Sequence, residues 1–399
     1  MVTLIPEKRC IKSAAVLGST GSVGVQTMDV VRELGLRVDF LAAGRNTELL
    51  RRQIGEFHPT LVAVADSAAA SKLANELKND SFRPEIIWRN DELEAAVLEA
   101  DADIIFHSIG GLAGLGTAIA AAKSGKRIAM ANKEAIISAG ELIFSELKRS
   151  GGELIPVDSE HSAIYRCLAG HSDISQVKKI LLTASGGPFF GRTFEQLGSV
   201  KAADALAHPT WKMGPKITID SATMMNKGFE IIEACKLYDV PEERVEVLIH
   251  RQSIIHSMVE YNDNTVIAEL GAPDMRDCIR YAATAPDTAR VHGTGLDFAK
   301  IGSLTFDKPD TNAFPLLEAA REAIRLGGTA PVSLIAADEV AVCAFLEDSI
   351  SFTDISSFVI ETMQHIDVSY EITAESIGAA DRQARAFCGD LIKSRKGCD

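Results

Sequence analysis

Apolar positions in the first third of the chain recur in two alternating rhythms. Residues 13–17 form a short apolar run, and 22–35 carry Val23, Met28, Val31 and Leu34 at helical spacing. Further strands are predicted over 37–43, 61–65, 86–88, 104–108 and 127–131. Helices are predicted between them over 47–57, 68–77, 91–99 and 116–124. Strands separated by helices of this length predict an α/β fold, a Rossmann-like doubly wound parallel sheet over residues 1–150. Past residue 150 the rhythm changes. Polar stretches separate strands over 179–183 and 245–249 and a strand-like pair over 254–261 and 265–270, so 151–284 reads as a central α+β domain. Residues 285–312, rich in Pro, Gly, Asp and Thr, read as a linker. Four amphipathic stretches over 314–326, 332–346, 353–365 and 373–388 then predict a C-terminal four-helix bundle within 313–399.

Composition narrows the function classes. A chain of 399 residues is too long for one core, and 46% hydrophobic with 24% charged residues is a globular mix. No apolar run is long enough to cross a bilayer. Net charge is −14 without a cluster of Lys and Arg, which argues against nucleic acid and anionic membranes as partners. Seven scattered cysteines without a C-x-x-C pair suit free thiols, and residues 1–12 lack a secretory pattern, so a cytoplasmic location is expected. In so acidic a protein, cations for a phosphorylated substrate have to be concentrated locally.

Gly18-Ser-Thr-Gly21-Ser-Val-Gly24 lies between the first strand and the first helix, where a dinucleotide turn belongs. Glycine there lets the backbone approach a pyrophosphate, whose charge meets amide hydrogens at the helix N-terminus. The spacing G-x-x-G-x-x-G is common in plain tight turns; its position carries the reading. The second strand ends Ala43-Gly44-Arg45-Asn46 without the acid that usually meets the ribose hydroxyls of NAD, and Arg45 with Asn46 suits a 2′-phosphate better. A later strand leads into Asn132-Lys133-Glu134, where Lys133 either meets a substrate oxygen or forms a helix-start charge pair.

Pro156-Val-Asp158-Ser159-Glu160-His-Ser162 places two carboxylates two residues apart. In an extended segment both project to one side and can share a cation. If the chain is helical from Asn226, then Asn226, Lys227 and Glu230 share a face. All-oxygen ligands of this kind suit Mg2+ or Mn2+ rather than zinc, and such a cation can polarise the carbonyl of a hydroxyketone. Ser185, Ser221, Asn226 and Lys227 together make a plausible phosphate grip. His208-Pro-Thr-Trp211-Lys-Met213-Gly214-Pro215 reads either as a closing lid or as a loop whose Trp anchors in the core. His256 reads as a structural histidine.

These blocks, above all HPTWKMGPKITIDSATMMNKGFE and PVDSEHSAI, resemble the 1-deoxy-D-xylulose-5-phosphate reductoisomerase family over nearly the whole chain. The resemblance implies a V-shaped homodimer acting on a sugar phosphate, 1-deoxy-D-xylulose 5-phosphate. NADPH and a divalent metal (Mg2+, Mn2+ or Co2+) serve its conversion to 2-C-methyl-D-erythritol 4-phosphate. By matching motif, Asp158, Glu160 and Glu230 are implied metal ligands. Ser185, Ser221, Asn226 and Lys227 are implied phosphate contacts with His208 near the substrate, and Lys133 and Ser159 lie at its reacting end. Trp211 and Met213 form the implied flap. Thr20, Gly21, Ser22, Val23, Gly44, Arg45, Asn46, Asn132, Glu134, Gly214 and Met275 line the implied cofactor site. Two departures stand out: Arg251 follows His250 where the family pattern has Pro, and Asp277-Cys278 stands where a Pro is expected. Rival readings are another two-domain NADP-dependent dehydrogenase with a Cys nucleophile, and a non-catalytic NADP sensor.

Overall fold

The computed structural model describes residues 2–3, 6–170, 173–207, 211, 213–291 and 295–396. The chain divides into two compact units: Met1–Ala135 with Glu141–Ser172 and Asp274–Gly293, and Ile136–Gly140 with Asp173–Pro273 and Thr294–Asp399.

The first unit is built on a parallel sheet of β1 Ser13–Leu17, β2 Arg37–Ala42, β3 Leu61–Ala63, β4 Glu85–Ile87, β5 Ile104–His107, β6 Arg127–Met130 and β7 Glu153–Pro156. Their order is β4-β3-β2-β1-β5-β6-β7, with every pairing parallel. The chain starts mid-sheet, winds to one edge, then returns beside β1, so the order reverses between β1 and β5. A crevice opens at the carboxyl ends of strands at such a reversal. Every residue of β1 and β5 is buried, as strands covered on both faces require. The doubly wound reading is borne out, and the sheet runs past residue 150. β7 went unseen because Glu-Leu-Ile-Pro is short and ends in Pro156, a residue tolerated at an edge strand.

Residues 275–284, read in sequence as the end of the central domain, pack within this unit as the Met275–Thr284 helix. The Arg280 guanidinium spans the gap to the Ser22–Leu34 helix, meeting Glu33 at 2.8 and 3.1 Å and Asp277 at 2.6 Å. Arg127, fully buried on β6, donates to the carbonyls of Ala283 and Ala285 and to the Glu153 carboxylate. It thereby satisfies backbone acceptors left over at the helix C-terminus.

The second unit holds β8 Val177–Ala184, β9 Val245–Ile249, β10 Ile255–Tyr261 and β11 Val266–Leu270, in the order β11-β10-β8-β9. β8 and β9 run parallel; the other pairs are antiparallel. The Pro215–Ala222 and Met225–Tyr238 helices follow one another across a sharp break at Met224, which takes φ +63°. Four C-terminal helices, Leu316–Leu326, Ala330–Leu346, Phe352–His365 and Ala374–Lys396, pack together as the pattern predicts. Ala330–Leu346 is apolar almost all round and buried along most of its length, as the central helix of such a group must be. Among the described residues no helix is long and apolar enough to cross a membrane.

Candidate active site

In the first unit the dinucleotide turn follows from its glycines. Gly18 takes φ +86°, and a Cβ there would lie 2.7 Å from the Ser108 carbonyl oxygen. At Gly24 a Cβ would lie 2.0 Å from the Gly18 oxygen, so only glycine lets the helix start this close to the strand. Ser19 is locked below by Gln53, its hydroxyl donating to the Gln53 side-chain oxygen at 2.8 Å while the Gln53 amide donates to the Ser19 carbonyl at 2.9 Å. Gly21 caps the Ser22–Leu34 helix with no side-chain acceptor, leaving the first amide hydrogens, near exposed Gly21 and Ser22, for an anion. At the end of β2, Gly44, Arg45 and Asn46 are exposed. Asn46 caps the Thr47–Phe57 helix through Leu49. Arg45 meets Asp66 at 2.9 Å with its side chain 82% exposed, so its charge faces solvent beside the turn.

After β6, Asn132 is buried and has three jobs. Its oxygen caps the Lys133–Ser150 helix at Ala135, and its amide holds the Ile109 and Gly111 carbonyls. Burial lowers His107 to about 4, so the imidazole bonded to Thr117 stays neutral and structural. Lys133 reaches Asp158 at 2.6 Å. The sequence reading of 158–160 as extended is corrected here: Asp158 is the N-cap of the Ser159–Leu168 helix and accepts from the Glu160 amide. An Asp ahead of a helix competes for the free amides of the first turn, and that preference prevails. The half-buried carboxylates of Asp158 and Glu160 therefore sit on a helix start, with the Ser159 hydroxyl donating to Glu160 at 2.5 Å. Glu134 and Met275 each stand in the first turn of a helix, half-buried.

In the second unit Asn226, Lys227 and Glu230 share one helix face as their spacing predicts. Glu230 is fully buried; it accepts from Asn226 at 2.5 Å and pairs with Lys227. Across the preceding break, Gly186 and Gly187 both take positive φ, and a Cβ on Gly187 would lie 2.8 Å from the Ser221 carbonyl oxygen. That close approach packs the Ser185 loop against the Ser221 backbone, gathering hydroxyls, an amide and an ammonium in one unit. Met224 holds a left-handed conformation at the join, a strained position for a non-glycine residue. Of the flap block, Trp211 lies 6.2 Å from the His256 ring, Met213 is half-buried and Gly214 caps the Pro215–Ala222 helix. His208 lies outside the described residues.

Both departures find partners. The Arg251 guanidinium sits over the Phe190 ring at 4.9 Å, and Asp277 is a second carboxylate for Arg280. Residues whose supporting role is not legible in sequence are Gln53, Met224, and the pair Lys216 and Asp338. Lys216 and Met224 stand inside the HPTWKMGPKITIDSATMMNKGFE block, but each acts through the fold rather than by spacing. No strand-to-helix turn presents a thiol among the described residues. Cys167 is buried within a helix, and burial raises Cys235 to about 12 and Cys388 to about 11.

Family models match three stretches: "1-deoxy-D-xylulose 5-phosphate reductoisomerase" at residues 14–140, its C-terminal domain at 154–238, and "DXP reductoisomerase C-terminal domain" at 270–387. The 1-deoxy-D-xylulose 5-phosphate reductoisomerase of Prosthecochloris aestuarii is 48% identical over 384 residues, 96% of this chain and 100% of that one. That of Ruminiclostridium cellulolyticum is 45% identical over 381 residues, covering 96% and 99%. The solved structure of the Zymomonas mobilis reductoisomerase in complex with NADPH matches with a TM-score of 0.89 and 38% identity, covering 96% of this chain and 100% of that chain. A DOX-P reductoisomerase in complex with NADPH, fosmidomycin and magnesium matches at 0.90 and 36%, covering 97% and 99%. With its glycine turn, its carboxylate-bearing helix starts and these full-length likenesses, the chain belongs to the 1-deoxy-D-xylulose 5-phosphate reductoisomerase family.

Proposed function

We propose that this chain converts 1-deoxy-D-xylulose 5-phosphate into 2-C-methyl-D-erythritol 4-phosphate, rearranging the carbon skeleton and reducing the product at the expense of NADPH. The observation that carries the reading is the helix face of Asn226, Lys227 and fully buried Glu230, in the same unit as the Ser185 loop packed on the Ser221 backbone. It offers a phosphate grip and a metal-binding carboxylate within one turn. Neither rival explains it: a Cys-dependent dehydrogenase needs a thiol at a strand-to-helix turn, where the described residues place none, and a sensor has no use for the carboxylates.

In this reading Asp158, Glu160 and Glu230 hold one divalent cation, and their all-oxygen donor set fits Mg2+ or Mn2+. When bound, the ion supplies Lewis-acid polarisation of the substrate carbonyl. Lys133, 2.6 Å from Asp158, holds its ammonium at the reacting end and Ser159 directs its hydroxyl there. Ser185, Ser221, Asn226 and Lys227 orient the phosphate, with His208 beside it, and Trp211 and Met213 exclude water. Thr20, Gly21, Ser22 and Val23 meet the pyrophosphate, while Gly44, Arg45 and Asn46 meet the 2′-phosphate. Asn132, Glu134, Gly214 and Met275 lie along the nicotinamide side.

The reading extends to a homodimer in the cytoplasm. Val266 and Ile267, 47% and 38% exposed on edge strand β11, support the dimer, since an open apolar edge calls for a cover. Free thiols at Cys10, Cys235, Cys343 and Cys388 suit a reducing compartment. Glu230→Gln tests the site: it keeps the hydrogen bond from Asn226 but loses the charge. Metal-dependent turnover should fall on the order of 100-fold with NADPH affinity retained. Retained turnover refutes the ligand assignment.

A further inference from the structure

The Pro215–Ala222 helix carries Ser221, and the residue before it, Asp220, meets Lys216 one turn earlier on the same helix. Asp220 is 3% exposed and Asp338, on the Ala330–Leu346 helix, is 0% exposed. Lys216 sets its ammonium between them, 2.6 Å from Asp220 Oδ2 and 2.8 Å from Asp338 Oδ2. The same ammonium lies over the Phe229 ring, 4.8 Å from its centroid. Asp220 Oδ1 is buried without a hydrogen-bond partner, and neither Asp338 oxygen meets a donor at hydrogen-bond alignment. These two carboxylates take no part in the mechanism above and lie 118 positions apart.

We propose that Asp338 is a positioning residue for the phosphate grip, tying the Ser221-bearing helix to the C-terminal helices through Lys216 and Asp220. The inference rests on the reading that Ser221 holds phosphate. Charge balance supports it: two buried carboxylates face one ammonium, so the cluster is neutral when one carboxyl keeps its proton. Burial first, and the neighbouring Asp338 second, hold the Asp220 carboxyl well above the usual carboxylate range, against the pull of Lys216.

The surrounding charges have other engagements. On Met225–Tyr238, Lys227 pairs with Glu230, and Glu233 is the remaining buried acid. On Leu316–Leu326, Arg321 and Arg325 hold Glu242. Glu339 pairs with Arg385, Asp354 and Glu361 with Arg395, and Asp204 accepts from the Lys201 amide. The Cys388 thiol, raised by its burial and by Asp338, is un-ionised.

Replacing Asp338 by an amide of the same shape leaves Lys216 facing one carboxylate, Asp220, so the cluster keeps its packing and its neutrality, which separates positioning from bulk stability. In the full-length enzyme with saturating metal, Asp338→Ala is expected to raise the KM for 1-deoxy-D-xylulose 5-phosphate about tenfold, the scale of a lost buried ion pair partly absorbed along the helix. The KM for NADPH stays put and kcat changes less than KM. Asp338→Asn, which keeps an oxygen facing the Lys216 ammonium, restores the substrate KM. An unchanged substrate KM in Asp338→Ala, equal impairment of both variants, or a matching rise in the KM for NADPH overturns the proposal. Ser221→Ala run alongside isolates the underlying reading: if it leaves the substrate KM unchanged, the phosphate assignment fails, whatever Asp338 does.

Discussion

Single atoms decide much of this site, and Gly187 is the sharpest case. It holds φ +65° with the Ser221 carbonyl 2.8 Å from where a Cβ would stand. Gly187→Ala is expected to cost about 1–3 kcal/mol in urea unfolding and to raise the KM for the sugar phosphate, because the Ser185 loop has to retreat from Ser221. Gly191 separates strain from contact: it holds φ +83° with open space around it, so Gly191→Ala should cost stability and leave KM alone. Both variants shifting KM alike contradicts the close-packing account. The candidate residues Asp158, Glu160, Asn226, Lys227 and Glu230 stand out in sequence because they lie in dense polar blocks. Their backbone was less so. Asp158 and Glu160 looked like neighbours on an extended segment, whereas Asp158 caps a helix, and capping depends on where the helix begins rather than on residue types alone.

Elements were read mostly to within a residue or two of their bounds, since the 3.6 and 2 rhythms record which face is buried. The 47–57 helix and the 245–249 strand fall where the pattern puts them. β7 escaped for want of length, and the Met275–Thr284 helix was assigned to the wrong neighbours because its partner, Glu33, is remote in sequence. Helix crossings are likewise invisible in one dimension. Gly228 looks like a weak spot in Met225–Tyr238, where Ala normally gains roughly 1 kcal/mol over Gly. Here a Cβ would lie 2.8 Å from the Ala320 Cβ of the Leu316–Leu326 helix. Gly228→Ala should therefore destabilise by about 1–3 kcal/mol by overpacking. A stabilised variant in thermal unfolding contradicts that crossing.

For the whole molecule, sequence gave the broad order of a dinucleotide sheet, an α+β region and helices, while the compact units interleave along the chain at 136–140 and 274–293. Such exchange between segments leaves no local signature. A net charge of −14 without a cluster of Lys and Arg agrees with a small anionic substrate rather than a polyanion. The proposed dimer belongs to this scale. Val266→Asp with Ile267→Lys should shift the mass measured by light scattering from two chains to one, and an unaltered mass places the interface elsewhere. The central claim joins NADPH, a sugar phosphate and a divalent cation in one turnover. NADPH oxidation with 1-deoxy-D-xylulose 5-phosphate, followed at 340 nm before and after thorough chelation, tests it most directly. The account predicts oxidation with Mg2+ or Mn2+, its loss on chelation and its return when metal is restored. No oxidation in the presence of metal, or oxidation undiminished after chelation, contradicts it.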